Sequence, residues 1–184
     1  KLSPPDDKPI DTVILNGGEC EPYLTSDHRL MLEKTAEIVL GMKLIMKILG
    51  AQKGMIGIEA NKPDAIAKMQ EITKNEPAIE VVPLQLRYPQ GAEKQLIYAA
   101  TKRKVPAGGL PMAVGVVVQN VATAFAIYEA IRYQKPLVQR VITVTGSPVV
   151  SPKNIMARIG TPLSELIEFC GGTHVKNTNE IMAF

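Results

Sequence analysis

Short aliphatic runs alternate along this chain with longer stretches whose apolar residues recur every three or four positions. That alternation narrows the fold more than any other feature. Thr12 to Asn16 (TVILN) reads as a buried strand, and Gly17-Gly18 as a turn or a backbone that another group approaches closely. Thr25, Ser26 and Asp27 offer N-cap oxygens to one long helix. In it Met31, Ile38, Met42, Ile45 and Leu49 recur at helical steps, and Gly50 suits a left-handed stop. Met55 to Glu59 is strand, and Pro63 opens a helix with Ile66, Met69 and Ile72 inward. Ile79 to Leu86 is strand, and Gly91 to Arg103 is helix with Leu96, Ile97 and Ala100 inward. Val114 to Val118 is strand, and Asn120 to Tyr133 is helix. The pattern predicts an α/β body on a mainly parallel sheet.

Near Lys135-Pro136 the texture changes, so residues 1–135 and 136–184 are expected to form separate domains. Gln139 to Thr145 alternates polar and apolar residues, as a half-exposed strand does. Gly146-Ser147-Pro148 turns, and Val149-Val150 then Ile155 to Ile159 continue a hairpin. Thr161 caps a short helix with Pro162 at its first position, ending at Gly171-Gly172. This ββα order resembles the start of a β-grasp module. The chain opens on Lys1 with no Met and stops in apolar residues, so it is expected to be an internal piece of a longer protein.

Composition removes several function classes. With 46% hydrophobic residues the 184-residue chain can bury a real core, which excludes a disordered segment. No apolar run approaches the roughly 18 residues of a membrane span. A net charge of +3, with Lys102-Arg103-Lys104 as the densest basic run, does not call for nucleic acid. The 4% aromatic content is too low for base-stacking platforms. Two cysteines make no disulfide framework and suit a reducing compartment. Cys20, Cys170, His28 and His174 show no zinc spacing, and two thiolates cannot by themselves hold a [4Fe–4S] cluster. No metal site and no side-chain nucleophile is expected, and Cys20 reads as a small packed residue.

What remains are polar groups at strand-to-helix switches, where open α/β sheets bind ligands. Asn16 to Arg29 places an amide, two glycines and the carboxylates of Glu19 and Glu21 after the first strand. Tyr88 to Gln95 opens a helix with Gly91 and Glu93. Val117 to Thr123 runs from a strand into Gln119, Asn120 and Thr123. Each also has a plain structural reading: acids favoured by a helix dipole, an ordinary helix start, and an Asn N-cap.

The stretch Thr12 to Glu33, with Asn16-Gly17-Gly18-Glu19-Cys20-Glu21-Pro22, resembles the C component of the Rnf membrane electron-transport complex. Tyr88 to Tyr98 and Gly108 to Tyr128 match the same component, so the resemblance runs over nearly the whole chain. More distantly the chain is similar to the flavin- and NADH-binding subunit of respiratory complex I. The resemblance implies a Rossmann-like flavin domain followed by a β-grasp module of SLBB type. In those relatives FMN and nicotinamide lie against Asn-Ala-Asp-Glu-x-Glu-Pro. Asn16, Glu19, Glu21 and Pro22 match it, with Gly17 and Gly18 in place of Ala and Asp. Gly91, Ala92, Glu93 and Lys94 match a Gly-Glu-Glu-Thr element, so Ala92 replaces a carboxylate. Gln119, Asn120, Val121, Ala122 and Thr123 match Asn-Asn-Val-Glu-Thr. Lys1 matches a lysine that follows a glycine-rich flavin loop, which would lie upstream.

The cofactor-binding residues implied by the resemblance are therefore Lys1, Asn16, Gly17, Gly18, Glu19, Glu21, Gly91, Glu93, Gln119, Asn120 and Thr123. The implied activity is hydride exchange between NAD(H) and FMN, with single electrons passed to [4Fe–4S] clusters held by cysteines of the longer protein. The setting is an ion-translocating ferredoxin:NAD oxidoreductase. Its other subunits would be the direct partners, ferredoxin an indirect one, and the cytoplasmic membrane face the location. Two alternatives stand beside this reading: a flavin-free scaffold that docks clusters and subunits, and a cobalamin reductase of similar build.

Overall fold

The structure, a computed structural model, describes residues 1–147 and 149–166. Strand β1 (Thr12–Gly17) leads through a loop into α1 (Ser26–Glu33) and α2 (Thr35–Leu49). Then follow β2 (Lys53–Glu59), α3 (Pro63–Thr73), β3 (Ile79–Leu84), α4 (Glu93–Thr101), a 3-10 turn at Pro111–Val114, β4 (Val116–Asn120) and α5 (Val121–Tyr133). A hairpin of β5 (Gln139–Val144) and β6 (Lys153–Arg158) comes next, and α6 (Leu163–Leu166) follows it.

The first four strands form one sheet in the order β3-β2-β1-β4, with every pair parallel. The body is therefore α/β on a parallel sheet. Because successive side chains of a strand point to opposite faces, each strand feeds two cores. Val13, Leu15, Ile56 and Ile58 pack against Met31 of α1, Ile38, Met42 and Ile45 of α2, Met69 of α3 and Val121 of α5. Ile14, Met55, Leu84, Val116 and Val118 face the other way, onto Leu96 and Ile97 of α4. Burying one such aliphatic side chain stabilises the fold by about 1.5–3 kcal/mol. Burial on both faces is why these strands read as continuous apolar runs.

The helical layer depends on one close approach. A Cβ built on Gly41 of α2 would lie 2.0 Å from the Ala124 carbonyl oxygen of α5, so only glycine lets these backbones meet. Gly50 ends α2 at φ 68°, the left-handed stop its position suggests.

Several local expectations change. The long helix is two helices, parted at Lys34 (φ −126°, ψ 31°), where the Thr35 hydroxyl donates back to the Met31 carbonyl. Thr25 stands at the N-cap of α1 but makes no side-chain cap bond. Its hydroxyl is engaged instead with Asn154 of the hairpin, at 3.2 Å. In α3 the buried stripe is Ala65, Met69 and Thr73, four residues apart, which leaves Ile72 42% exposed. Strand β3 stops at Leu84, leaving Leu86 in solvent. Val114 belongs to the 3-10 turn, and β4 runs on through Gln119 and Asn120. Val149-Val150 falls outside β6. The turn residue Pro148, the helix end at Gly171-Gly172, Cys170 and His174 lie outside the described residues.

Candidate functional site

Strand order reverses at β1: the chain steps outward to β2 and β3, then crosses back to lay β4 on the other side. The connection from β1 to β2, through α1 and α2, covers one face of the sheet, and the connection from β3 to β4, through α4, covers the other, so the loops beyond the carboxyl ends of β1 and β3 diverge around a crevice at this edge. Asn16 and Asn120 are register partners at that edge.

Asn16 ties two loops together. Its Nδ2 donates to the Gly91 carbonyl oxygen at 2.9 Å, and its Oδ1 accepts from the Gly18 N–H at 3.0 Å. At Gly18 and Gly91 the two backbones themselves come close. A Cβ on Gly18 would sit 3.3 Å from the Gly91 Cα, and one on Gly91 would sit 2.6 Å from the Cys20 Sγ. The Gly91 N–H donates to that sulfur at 3.0 Å, so Cys20 is a loop fastener at half-buried depth rather than inert filling. Gly17 is similarly confined, with Met31 Sδ 2.8 Å and the Gly57 carbonyl oxygen 3.0 Å from where a Cβ would be.

Lys1 closes the gap to β4. Its ammonium donates to Glu93 Oε1 at 2.7 Å and to the Val118 carbonyl oxygen at 2.9 Å, joining the start of α4 to the middle of β4. Helix α4 has no side-chain cap, so its first N–H groups face this rim. Asn120 caps α5: its Oδ1 accepts from the Ala122 N–H at 2.9 Å and from Arg140 Nη2 at 2.9 Å, and its Nδ2 donates to Asp27 Oδ2 at 2.6 Å. Gln119 is half-buried one residue earlier, and Thr123 is half-buried in the first turn of α5.

Glu19 turns inward, away from the rim. Its side chain is 4% exposed, and its Oε1 accepts from the Asp27 N–H at 2.8 Å, which supplies the α1 cap that Thr25 does not. Lys62 Nζ, on a side chain 8% exposed, lies 3.5 Å from Glu19 and 2.6 Å from Glu59. The Glu59 carboxylate also accepts from the Glu19 N–H at 3.3 Å. The buried ammonium thus holds the loop from behind. Glu21, two residues on, is exposed. Asp27 sits beside this cluster. Burial raises its pKa above the usual carboxylate range against the Asn120 hydrogen bond; the Glu19 charge adds to the rise, while Arg140 and Lys62 oppose it.

The structure brings Lys1, Asn16, Gly18, Gly91, Glu93 and Asn120 to one edge. Their polar groups largely bond one another. A cavity of about 520 Å³ lies to the side, along α4 and β3, lined in part by Arg87, Tyr88, Gln90 and Tyr98. Sequence reasoning missed Lys62, Glu59 and Arg140. Only Glu59 carried a signal, an acid closing an otherwise apolar strand.

This is a doubly wound α/β domain with polar loops gathered at its switch point. Residues 1–129 match the Nuo51 FMN-binding domain family, and residues 141–180 match the SLBB domain. The chain belongs to the Nuo51 FMN-binding domain family. It is 53% identical over 172 residues to the C component of the proton-translocating ferredoxin:NAD(+) oxidoreductase complex of Clostridium ljungdahlii, covering 94% of this chain and 37% of that protein. It is 50% identical over 172 residues to the C component of the Na(+)-translocating ferredoxin:NAD(+) oxidoreductase complex of Acetobacterium woodii, covering 94% of this chain and 39% of that protein. The fold matches a crystal structure of an NAD+-reducing [NiFe]-hydrogenase in the H2-reduced state with a TM-score of 0.72 at 21% identity, over 86% of this chain and 32% of that one. Among the described residues no helix is long and apolar enough to cross a membrane.

Proposed function

We propose that this chain is the part of an ion-translocating ferredoxin:NAD oxidoreductase that seats FMN and admits NAD(H) to it, within the C component of that complex. The observation that carries the reading is the Asn16 bridge, which gathers the β1 loop and the start of α4 beside β4. The donor set suits a group rich in carbonyl and phosphate oxygens: the start of α4 carries no side-chain cap, and the Lys1 ammonium stands beside it, paired with Glu93. When bound, FMN supplies hydride exchange with NAD(H) and release of electrons one at a time.

The side chains bind and orient. Gly17, Gly18 and Gly91 let backbone come close to a planar ring. Asn16 and Asn120 hold loop and helix starts in place. Glu93, held by Lys1, and exposed Glu21 offer acceptors to ribose or amide groups, with Gln119 and Thr123 on the β4 side. Glu19 serves the site from behind, by holding the loop. Clusters held by cysteines of the longer protein would take the electrons. The partners are the other subunits of a membrane complex, with ferredoxin reached indirectly, and the chain lies on the cytoplasmic membrane face as a peripheral part.

The test is a visible spectrum of the full-length protein. FMN near one per chain, bleached by NADH and lost in Asn16→Ala, is expected. A colourless protein indifferent to NADH would favour the scaffold reading instead.

A further inference from the structure

A trough on the outer side of the helical layer, far from the loops of the switch point, has an apolar floor and cationic banks. Its volume is about 460 Å³, and Leu40, Leu44, Tyr128 and Ile131 line it with Lys43, Lys47 and Arg132. Its origin lies in the Gly41–Ala124 approach. Helices α2 and α5 both return from the carboxyl edge of the sheet, meet backbone to backbone there, and are then held apart by the large side chains that follow. Met42, Ile45 and Met46 of α2 face the sheet, so Leu40 and Leu44 are left facing out.

Two observations mark this surface. Leu40 is 43% exposed and Ile131 52% exposed, side by side on adjoining helices, which makes a patch rather than scattered surface residues. The charged residues that line it are all basic, with the acids Glu76 and Glu37 beside Lys43 and Tyr128. Among the described residues Lys47 and Arg132 form no ion pair, and Lys43 meets only Glu76, at 2.7 Å.

We propose that this trough seats an acidic amphipathic helix of a partner subunit. A concave slot between two helices accepts the ridge of a third, whose apolar face fills the floor. Unpaired cations on the banks select Asp and Glu beside that face and reject a basic helix. The proposal rests on the reading that the chain works within a multi-subunit assembly, but not on flavin binding.

The test uses the full-length protein in its intact complex in native membranes. A photo-crosslinking residue at position 44 is activated and the joined peptides are sequenced. One acidic, amphipathic helical segment of another subunit is the expected product. In parallel, Lys47→Glu with Arg132→Glu should weaken retention of the chain by the other subunits about tenfold at low salt. Melting temperature, FMN content and NADH bleaching of this variant separate lost docking from misfolding and from failure of the flavin reading. Crosslinks confined to the same chain, to a second copy, to lipid or to a non-acidic peptide would overturn the proposal. So would unchanged retention of the double variant.

Discussion

The strands β1 and β2 are buried along nearly their whole length, whereas β5 and β6 leave almost every residue half-exposed or in solvent. The cause is architectural: parallel strands lie between helices on both faces, while the hairpin has one paired neighbour and rests one side on α1 and α5. Burial therefore holds the sheet, and polar bonds do much of the joining at the seam. The Thr25 N–H donates to Thr143 Oγ1 at 3.1 Å, Thr143 donates to Asn154 Oδ1 at 2.8 Å, and Arg140 reaches Asn120. A region held by apolar area loses stability steeply when its few internal charges or close contacts are disturbed. A region joined by exposed hydrogen bonds loses it in small steps.

The sharpest test of that contrast is Lys62→Met. It leaves Glu59 and Glu19 buried without a counter-charge, and about 3–5 kcal/mol of unfolding free energy should be lost in chemical denaturation. A loss near zero would show that the cluster is wetter than its burial implies. Gly41→Ala comes next. Forcing α2 from α5 should cost about 1–3 kcal/mol even though alanine favours a helix by about 1 kcal/mol. Thermal melting checks it, and a stabilised variant would mean that the two helices part freely.

Arg140→Ala should cost about 0.5–1.5 kcal/mol, with faster amide exchange in β5 and β6 and unchanged protection in β1. Equal loosening of β1 would erase the distinction between the regions. The smallest effect is a slope with pH. Because burial raises the folded-state pKa of Asp27, the folded protein binds its proton more tightly than the unfolded chain does. Stability from this group is present below the ordinary Asp value of about 3.9 and lost as pH rises through the raised folded-state value. Asp27→Asn removes that loss while keeping an acceptor for Asn120. Its melting temperature relative to the parent should climb from acid toward neutral pH, and a flat difference would refute the assignment.

Much of this fold is legible in the sequence because burial on two faces writes itself as unbroken aliphatic runs. TVILN and MIGIE fall inside β1 and β2, and Gly50 stops α2. The break at Lys34 is not legible, since the Thr35 hydroxyl that bonds Met31 looks like any helical threonine. Ile72 misleads because a three-residue step fits the apolar letters while the packed face advances by four. The residues at the switch point stand out as polar groups at strand ends, but their meeting depends on strand order, which periodicity does not carry. The inward turn of Glu19 depends on Lys62 and Glu59 from the next strand–helix unit, and the Gly91–Cys20 bond on a contact between distant loops.

The contact between Gly18 and Gly91 leaves no slack between two segments far apart in the chain. The Asn16 side chain and the Cys20 sulfur fasten the same two segments, so they pack as one unit. From there the path runs through Glu19 to the first turn of α1, and through Thr25 to Asn154. The start of α4 and the hairpin are thus joined, through the β1 loop and the first turn of α1, by one run of contacts and hydrogen bonds.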